Sequence, residues 1–187
     1  MSLSGRVPET LKTPRLVLRR PRLSDAVAIF EEYAADPEVA RFLTWRPHRS
    51  AADVRAFLEM RLRIEAPGDE STWMITSASE DRAIGAIGCA VEGHAVAVGY
   101  VLGRRHWNRG YMTEAVRAIV EWWFTLPRIY RVWAVCDVEN VASRRVMEKA
   151  GMEREGLLRR WSLHPNISEV PRDCFVYSRV QNASASR

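Results

Sequence analysis

The hydrophobic pattern at the start of the chain predicts one strand followed by helices. Residues 15–19 are short, β-rich and alternating, which is typical of a strand. Ser24 and Asp25 are suitable N-cap residues for a helix over residues 26–35. Ser50 can cap a longer helix, Ala51–Ile64, whose apolar residues recur with helical spacing.

The middle of the chain predicts an antiparallel meander of three strands. Residues 71–77, 83–92 and 95–102 are rich in β-formers and carry few helix signals. Gly93-His94 links the second and third of these stretches, which is the length and composition of a tight hairpin turn.

The order of elements changes in the second half. A helix is predicted from about Thr113 to about Leu126, followed by the apolar strand 129–136. A second helix over 142–150 stops at Gly151. Strands over 156–162 and 174–180 close the pattern, and a right-handed parallel crossover then joins the strand at Val98 to the one at Val132.

Length and termini define the expected domain. A chain of 187 residues fits one domain, which we place at residues 13–180, with a flexible N-terminus at 1–12 and a disordered tail at 181–187. Neither a long apolar stretch nor a signal-peptide pattern is visible, so cytoplasmic residence is the expectation.

Charge and cysteine content narrow the classes of ligand. A net charge of +5 favours anionic ligands, but no basic run with interleaved aromatic residues predicts direct nucleic-acid binding. Cys89, Cys136 and Cys174 are widely spaced among apolar neighbours, so we expect buried thiols and no metal site.

The segment 107–115, Trp-Asn-Arg-Gly-Tyr-Met-Thr-Glu-Ala, carries the clearest chemical signal. It links a β-rich stretch to an amphipathic helix through Gly110. Such a turn points backbone amides and the positive end of the helix dipole at one place, which suits a phosphate. An ordinary strand-to-helix connection is the alternative, because one glycine matches neither a Walker loop nor a Rossmann fingerprint.

A second segment, 139–152, begins at Glu139-Asn140 just after the apolar strand. Asn140 is a preferred helix N-cap residue, and that role alone would explain it. Its carboxamide can also bind an amide-bearing ligand at the end of the strand.

Together these segments resemble the GCN5-related N-acetyltransferase (GNAT) superfamily, and the resemblance extends over nearly the whole chain. The nearest branch is the RimJ/RimL type, which acetylates the N-termini of ribosomal proteins. The matching segments are residues 13–19, 99–103, 107–115 and 139–152, and the closing hairpin from Gly156, with Arg172-Asp173 and Tyr177.

The resemblance implies an α/β (α+β) fold with a mixed, mostly antiparallel twisted sheet of six or seven strands flanked by helices. Its fourth and fifth strands are parallel and splayed, and form a slot for acetyl-CoA. The residues implied to hold the cofactor are Val101, Leu102, Asn108, Arg109, Gly110, Tyr111, Met112, Thr113, Asn140 and Ser143.

Catalysis is expected to be a direct transfer to a neutral amine, without a covalent enzyme intermediate. Many members of the superfamily have a tyrosine acid four residues after the position of Ser143, where this chain has Met147. Ser143 is therefore the candidate acid. The base is open between Glu92, Asp173 and a chain of water molecules.

The acceptor is expected to be a primary amine, foremost a protein N-terminal α-amine. Tyr33, Trp45 and Trp161 are candidates for its binding site. A small-molecule amine (an amino sugar, polyamine or amino acid) and a non-catalytic acyl-CoA-binding module are the alternatives. The chain is expected to act as a monomer or homodimer.

Overall fold

The computed structural model describes residues 7–64 and 70–181. Its centre is one sheet of eight strands in the order β1-β2-β3-β4-β5-β6-β8-β7. The strands are β1 (Thr10–Lys12), β2 (Leu16–Arg19), β3 (Glu70–Ser77), β4 (Glu80–Glu92), β5 (Ala95–Leu102), β6 (Arg131–Asp137), β7 (Glu153–Ser162) and β8 (Arg172–Val180). The helices are α1 (Ala26–Ile29), which continues as a π-helical segment (Phe30–Ala34), α2 (Pro37–Ala40), α3 (Ala51–Ile64), α4 (Tyr111–Trp123) and α5 (Val141–Lys149).

The sheet confirms the expected fold class. Every neighbouring pair of strands is antiparallel except β5 and β6, which are parallel and linked through α4. These two strands are the fourth and fifth of the family pattern, because the added β1 shifts the count by one.

Strand β1 lies within the N-terminal segment 1–12 for which the sequence predicts flexibility. Thr10, Leu11 and Lys12 pair antiparallel with β2 and add an eighth strand. Three residues are too short for a periodic pattern, so the sequence gives no strand signal there. Residues 1–6, 65–69 and 182–187 lie outside the described residues, and with them half of the predicted flexible N-terminus and most of the predicted tail.

The helix α4 packs on one face of the sheet through a stripe of apolar residues. Its buried residues recur at intervals of three and four, so one stripe faces the strands. They are Met112, Ala115, Val116, Ile119, Val120 and Trp123. This stripe joins the larger apolar core, while α1 and α3 build a second core on the opposite face.

The backbone of the π-helical segment Phe30–Ala34 lies close against the residue that follows β5. A Cβ added at Gly103 would lie 2.8 Å from the carbonyl oxygen of Glu32, so glycine is required there. The described helices include none that is long and apolar enough to cross a membrane.

Candidate active site

β5 and β6 stop pairing partway along their length and leave a slot in the sheet. Only the first three residues of each strand are in register with the other. Beyond them β5 continues to Leu102 and β6 to Asp137 without pairing. The slot thus has a strand edge on each side, as the splayed-strand expectation required.

The register of β5 determines which backbone groups face the slot. The amide of Gly103 donates to Ile84 on β4. Alternation along an antiparallel pair then directs the backbone groups of Val101 to β4 and those of Tyr100 and Leu102 into the slot. Of the two residues that the sequence named, Leu102 therefore offers its amide to a ligand, and Tyr100 joins it.

The turn before α4 has the geometry of an anion site. Gly110 has φ +75° and ψ 4°, a left-handed conformation that glycine adopts without strain. Asn108 also has positive φ, at 60°, which asparagine tolerates better than most residues. α4 begins directly at Tyr111, so its unpaired amides open onto this turn.

Two charged side chains hold this turn against the start of β2. Glu114, in the first turn of α4, accepts hydrogen bonds from the hydroxyl of Thr13 at 2.6 Å and from the Arg15 side chain at 2.6 Å. Arg15 also donates to the carbonyl of Arg109 at 2.9 Å. Residues 13–15 therefore hold the anion turn in place through hydrogen bonds.

The side of the turn nearest β5 is held as well. The indole of Trp107 donates to the carbonyl of Leu102 at 2.8 Å. His106 lies 3.2 Å from the buried carboxylate of Glu32, and Arg104 pairs with Asp36 at 2.9 Å.

A pocket of about 550 Å³ lies beside the turn and fits a polyphosphate group. Its lining includes Gly110, four basic side chains and two acidic ones, Glu114 and Glu121, of which Glu114 is paired with Arg15. The basic side chains are Lys12, Arg15, Arg117 and Lys149, so positive charge is in excess. Phosphates bind at helix N-termini next to such cations. The residues present therefore fit the pyrophosphate part of a nucleotide cofactor.

Asn140 and Ser143 lie where β6 passes into α5. The side-chain oxygen of Asn140 accepts from the amide of Ser143 at 3.0 Å, so the N-cap role is real. The cap uses only the oxygen and leaves the NH2 group of Asn140 able to donate to a ligand.

Tyr100 reaches Ser143 across the slot. The two hydroxyl oxygens are 2.8 Å apart. Burial raises the pKa of Tyr100, although the hydrogen bond with Ser143 opposes part of that rise, so the phenol stays protonated at neutral pH. Met147, where many relatives have a tyrosine, is fully buried in the core. A phenol on β5 thus approaches Ser143 from the opposite side of the slot.

A buried ion pair fixes the turn between β6 and α5. Asp137 is fully buried and accepts from Arg172 on β8 at 2.5 Å and from the amide of Glu139 at 2.9 Å. Burial alone would raise the pKa of Asp137, but these bonds outweigh it and lower the pKa. The carboxylate therefore stays charged and holds the loop that carries Asn140.

A second cleft, of about 540 Å³, opens on the face of the sheet that carries α1 and α3. Its lining includes Val101 and Tyr100 of β5, Trp133 of β6 and Trp45 from the loop after α2. Tyr100 thus borders this cleft and also reaches Ser143 on the cofactor side.

Asn166 holds the Trp45 loop in place. Its side-chain NH2 donates to the carbonyl of Ala40 at 2.7 Å and to that of Trp45 at 2.8 Å. The loop between β7 and β8 is in this way tied to the loop that carries one wall of the cleft.

The other two acceptor candidates lie elsewhere. Tyr33 is 5% exposed in the core around α1 and α3, and is not part of the cleft lining. Trp161 is 52% exposed on the edge strand β7 and also does not line the cleft. Of the three, the structure brings only Trp45 to the cleft.

The remaining cofactor residues occupy the turn and the first part of α4. Arg109 is exposed, Tyr111 lies under the guanidinium of Arg15 at 4.8 Å, and Thr113 lines the basic pocket. Met112 is 5% exposed in the core, so its side chain points away from the turn and only its amide is offered.

The candidate bases are separated from the cleft. Glu92 lies at the end of β4 opposite Ala95, where β5 and β6 are still paired. Asp173 accepts from the amide of Arg160 at 2.8 Å and holds an irregular part of β7. The carboxylate in the cleft lining is Glu70, which pairs with Arg61 at 2.7 Å.

The cysteines have the character of core residues. Burial raises the pKa of Cys89 and of Cys136 to about 12 and that of Cys174 to about 11. A nucleophilic cysteine needs a lowered pKa. These thiols thus stay protonated and do not favour a covalent route.

Sequence reasoning missed Tyr100, Trp133 and Asn166. Tyr100 shares a strand face with Val98 and Leu102, and that alternation is a signal that it faces the slot side. The contacts of Trp133 and Asn166 depend on strand order and on two distant loops, which periodicity cannot predict.

Comparisons with known proteins agree with this geometry. The family model described as "Acetyltransferase (GNAT) domain" matches residues 15–153. An uncharacterized N-acetyltransferase, p20 of Bacillus licheniformis, is 32% identical over 154 residues, which are 81% of this chain and 86% of the relative.

Solved structures share the whole fold. A GNAT-family acetyltransferase from Bacillus anthracis is 26% identical with a TM-score of 0.79, covering 91% of this chain and 98% of that one. RimL, a ribosomal L7/L12 α-N-protein acetyltransferase solved in complex with coenzyme A, has a TM-score of 0.81 at 20% identity, covering 94% and 100%. Acetyl-CoA is the acyl donor of the family that these comparisons identify. The chain belongs to the GNAT family of N-acetyltransferases.

Proposed function

We propose that this N-acetyltransferase transfers an acetyl group to a primary amine that enters from the cleft beside Trp45 and Trp133. The observation that carries the proposal is the position of Tyr100. It borders that cleft and makes a hydrogen bond with Ser143 on the other side of the slot. Donor and acceptor can therefore meet at one residue.

The donor side has a group for each part of the cofactor. The basic pocket and the turn at Gly110 would hold the pyrophosphate, and the slot-facing amides of β5 and the NH2 group of Asn140 would hold the amide-bearing arm. Bound acetyl-CoA supplies an activated acyl group. The Leu102 amide can donate to an acyl carbonyl in the slot.

Proton handling is divided between the two sides. Ser143, in contact with the protonated phenol of Tyr100, can donate to a departing thiolate. On the acceptor side, the amine must lose a proton before it attacks. Because Glu70 is paired and neither Glu92 nor Asp173 lines the cleft, we propose that water in the open cleft accepts that proton.

A protein N-terminal α-amine is the first candidate acceptor. The cleft opens to the surface, so the first residue of a peptide could enter while the chain remains outside. A small-molecule amine is the second candidate, and the cleft volume of about 540 Å³ favours it because it falls within the usual range for small-molecule sites.

A thiol-release assay with acetyl-CoA and a panel of amines tests the proposal. The panel contains peptides with free and blocked N-termini, arylalkyl monoamines, amino sugars and polyamines. Turnover of free N-termini above small amines supports the first candidate, and turnover of small amines alone overturns it. Binding of CoA without turnover of any amine would contradict catalysis and favour an acyl-CoA-binding module.

A further inference from the structure

Two glycines face each other in the middle of the sheet. Gly88 of β4 and Gly99 of β5 are register partners, flanked by the pair Ala90 and Ala97. Gly99 is solvent-exposed although its strand lies inside an eight-stranded sheet. These small residues form the floor of the cleft between Trp45 and Trp133.

Neither glycine is required by its own backbone or by its neighbours. Neither has a positive φ, and a Cβ added at Gly99 would meet nothing within 4 Å. A Cβ at Gly88 would have its nearest atoms at 4.0 Å, an ordinary contact. By contrast, a Cβ at Gly85 would lie 2.5 Å from a backbone oxygen, so that glycine has a structural reason.

Glycine inside a strand is unfavourable, and it often marks a place where another molecule approaches the backbone. The described neighbours leave room for a Cβ at both positions. The open floor is therefore explained by a group that lies on it, and the cleft is the site where the amine enters.

The walls above the floor indicate what that group is. Two indoles border it, and most of the remaining lining is aliphatic or small. Within the lining, the charged side chains are Arg61 and Glu70, and they neutralise each other at 2.7 Å. Such a surface suits a flat apolar body, and among the described lining residues it gives a second cationic group no free carboxylate.

We infer that the acceptor carries a flat, apolar and preferably aromatic group next to its primary amine, and that Gly88 and Gly99 select it by leaving the floor open. This inference rests on the proposed function. The group can belong to a free arylalkyl monoamine or to an aromatic first residue of a peptide, since both present the same chemistry.

The test compares Gly99→Val with Gly156→Val. Gly156 is a strand glycine on β7 where an added Cβ also meets nothing within 4 Å, and it does not line the cleft. Phenethylamine, spermidine and peptides beginning with Phe or Ala serve as acceptors. Affinity for CoA and the melting temperature are measured for each variant.

We expect the wild type to use phenethylamine or the Phe peptide at least tenfold better, in kcat/KM, than spermidine or the Ala peptide. Gly99→Val should lose at least tenfold on the aromatic acceptor, with unchanged CoA affinity and an equal or higher melting temperature. Gly156→Val should keep the wild-type preference. The arm that is used better, free amine or peptide, identifies the source of the group.

Equal use of aromatic and non-aromatic acceptors, or full aromatic activity in Gly99→Val, would overturn the inference. If Gly99→Val does not fold, Gly99→Ala replaces it, with a smaller loss in the same direction. Calorimetric titration of phenethylamine or the Phe peptide into the CoA complex separates this inference from the proposed function. Binding lost in the variant supports the floor even if no amine is acetylated, and failure of both ligands to bind the wild type overturns it.

Discussion

Ser143 receives its setting from two different elements. The side-chain oxygen of Asn140, at the start of α5, accepts a hydrogen bond from the backbone amide of Ser143. The hydroxyl of Tyr100, on β5, lies 2.8 Å from the Ser143 hydroxyl. The carboxamide fixes the backbone, while the phenol fixes the direction of the side chain. Removal of the hydroxyl should therefore affect proton transfer more than binding.

We expect Ser143→Ala to lower kcat by about a hundredfold, the lower end of the range for general acid catalysis. CoA affinity, measured by calorimetry, should change less than threefold. Ser79→Ala, which removes an exposed hydroxyl from the β3–β4 turn, is the control. Wild-type kcat in Ser143→Ala would exclude the acid role.

Two substitutions of Gly110 can distinguish the effect of charge from the effect of backbone strain at the anion turn. Its φ is +75°, which Asp and Asn tolerate about equally well. Gly110→Asp should weaken CoA binding by at least tenfold because the carboxylate repels phosphate, whereas Gly110→Asn should weaken it much less. Equal losses in the two variants would show that shape and not charge matters there.

Among the elements, α4 could be predicted best from the sequence, and the elements that carry the acceptor candidates could be predicted least. The helical stripe from Met112 to Trp123 follows directly from residue spacing. Tyr33 lies in the π-helical segment Phe30–Ala34 and is buried in the core, so its place in an acceptor site stays a prediction. Trp161 belongs to an edge strand, and no local pattern tells an edge from a cleft wall.

Asn166 links the loop between β7 and β8 to the segment that carries Trp45, and we expect this link to affect only the amine substrate. Asn166→Ala removes both hydrogen bonds to the Trp45 loop, each worth about 1 kcal/mol. We expect KM for the amine to rise about three- to tenfold, with little change in CoA affinity. Gln181→Ala is the matched control, since it removes a side-chain amide bond to the carbonyl of Phe124 at 3.1 Å. A similar rise in KM in the control would argue against a local role.

At the scale of the whole molecule, cofactor binding should raise the free energy of unfolding and therefore the Tm. A ligand present at 100 times its Kd stabilises the native state by about 2.7 kcal/mol. For a chain of 187 residues that corresponds to roughly 5 to 10 °C in Tm. Differential scanning fluorimetry with and without CoA measures the shift. Gly110→Asp should show a smaller shift at the same CoA concentration, and an absent shift in the wild type would contradict the donor site.

Acid should weaken the fold through Asp137. Its pKa lies below the ordinary value of 3.8 in the native state, so its bonds stabilise the protein above that pH and are lost as the pH falls through the native pKa. Arg172→Met removes the arginine partner of the buried carboxylate, leaving the amide of Glu139 and His164 at 3.9 Å, and should cost several kcal/mol at pH 7. Urea unfolding at pH 7 and pH 3 should show the difference between wild type and variant shrinking at low pH. If the difference in unfolding free energy were the same at both pH values, Asp137 would not be the group responsible for the acid sensitivity.

Only three residue pairs join β5 to β6, so the sheet consists of two parts, β1 to β5 and β6 to β8, with a short junction between them. A junction this short would allow the two parts to change their relative angle. The width of the slot is then set by the angle between the two parts. A cofactor arm that bonds both edges would then link the two parts of the sheet and resist a change in that angle.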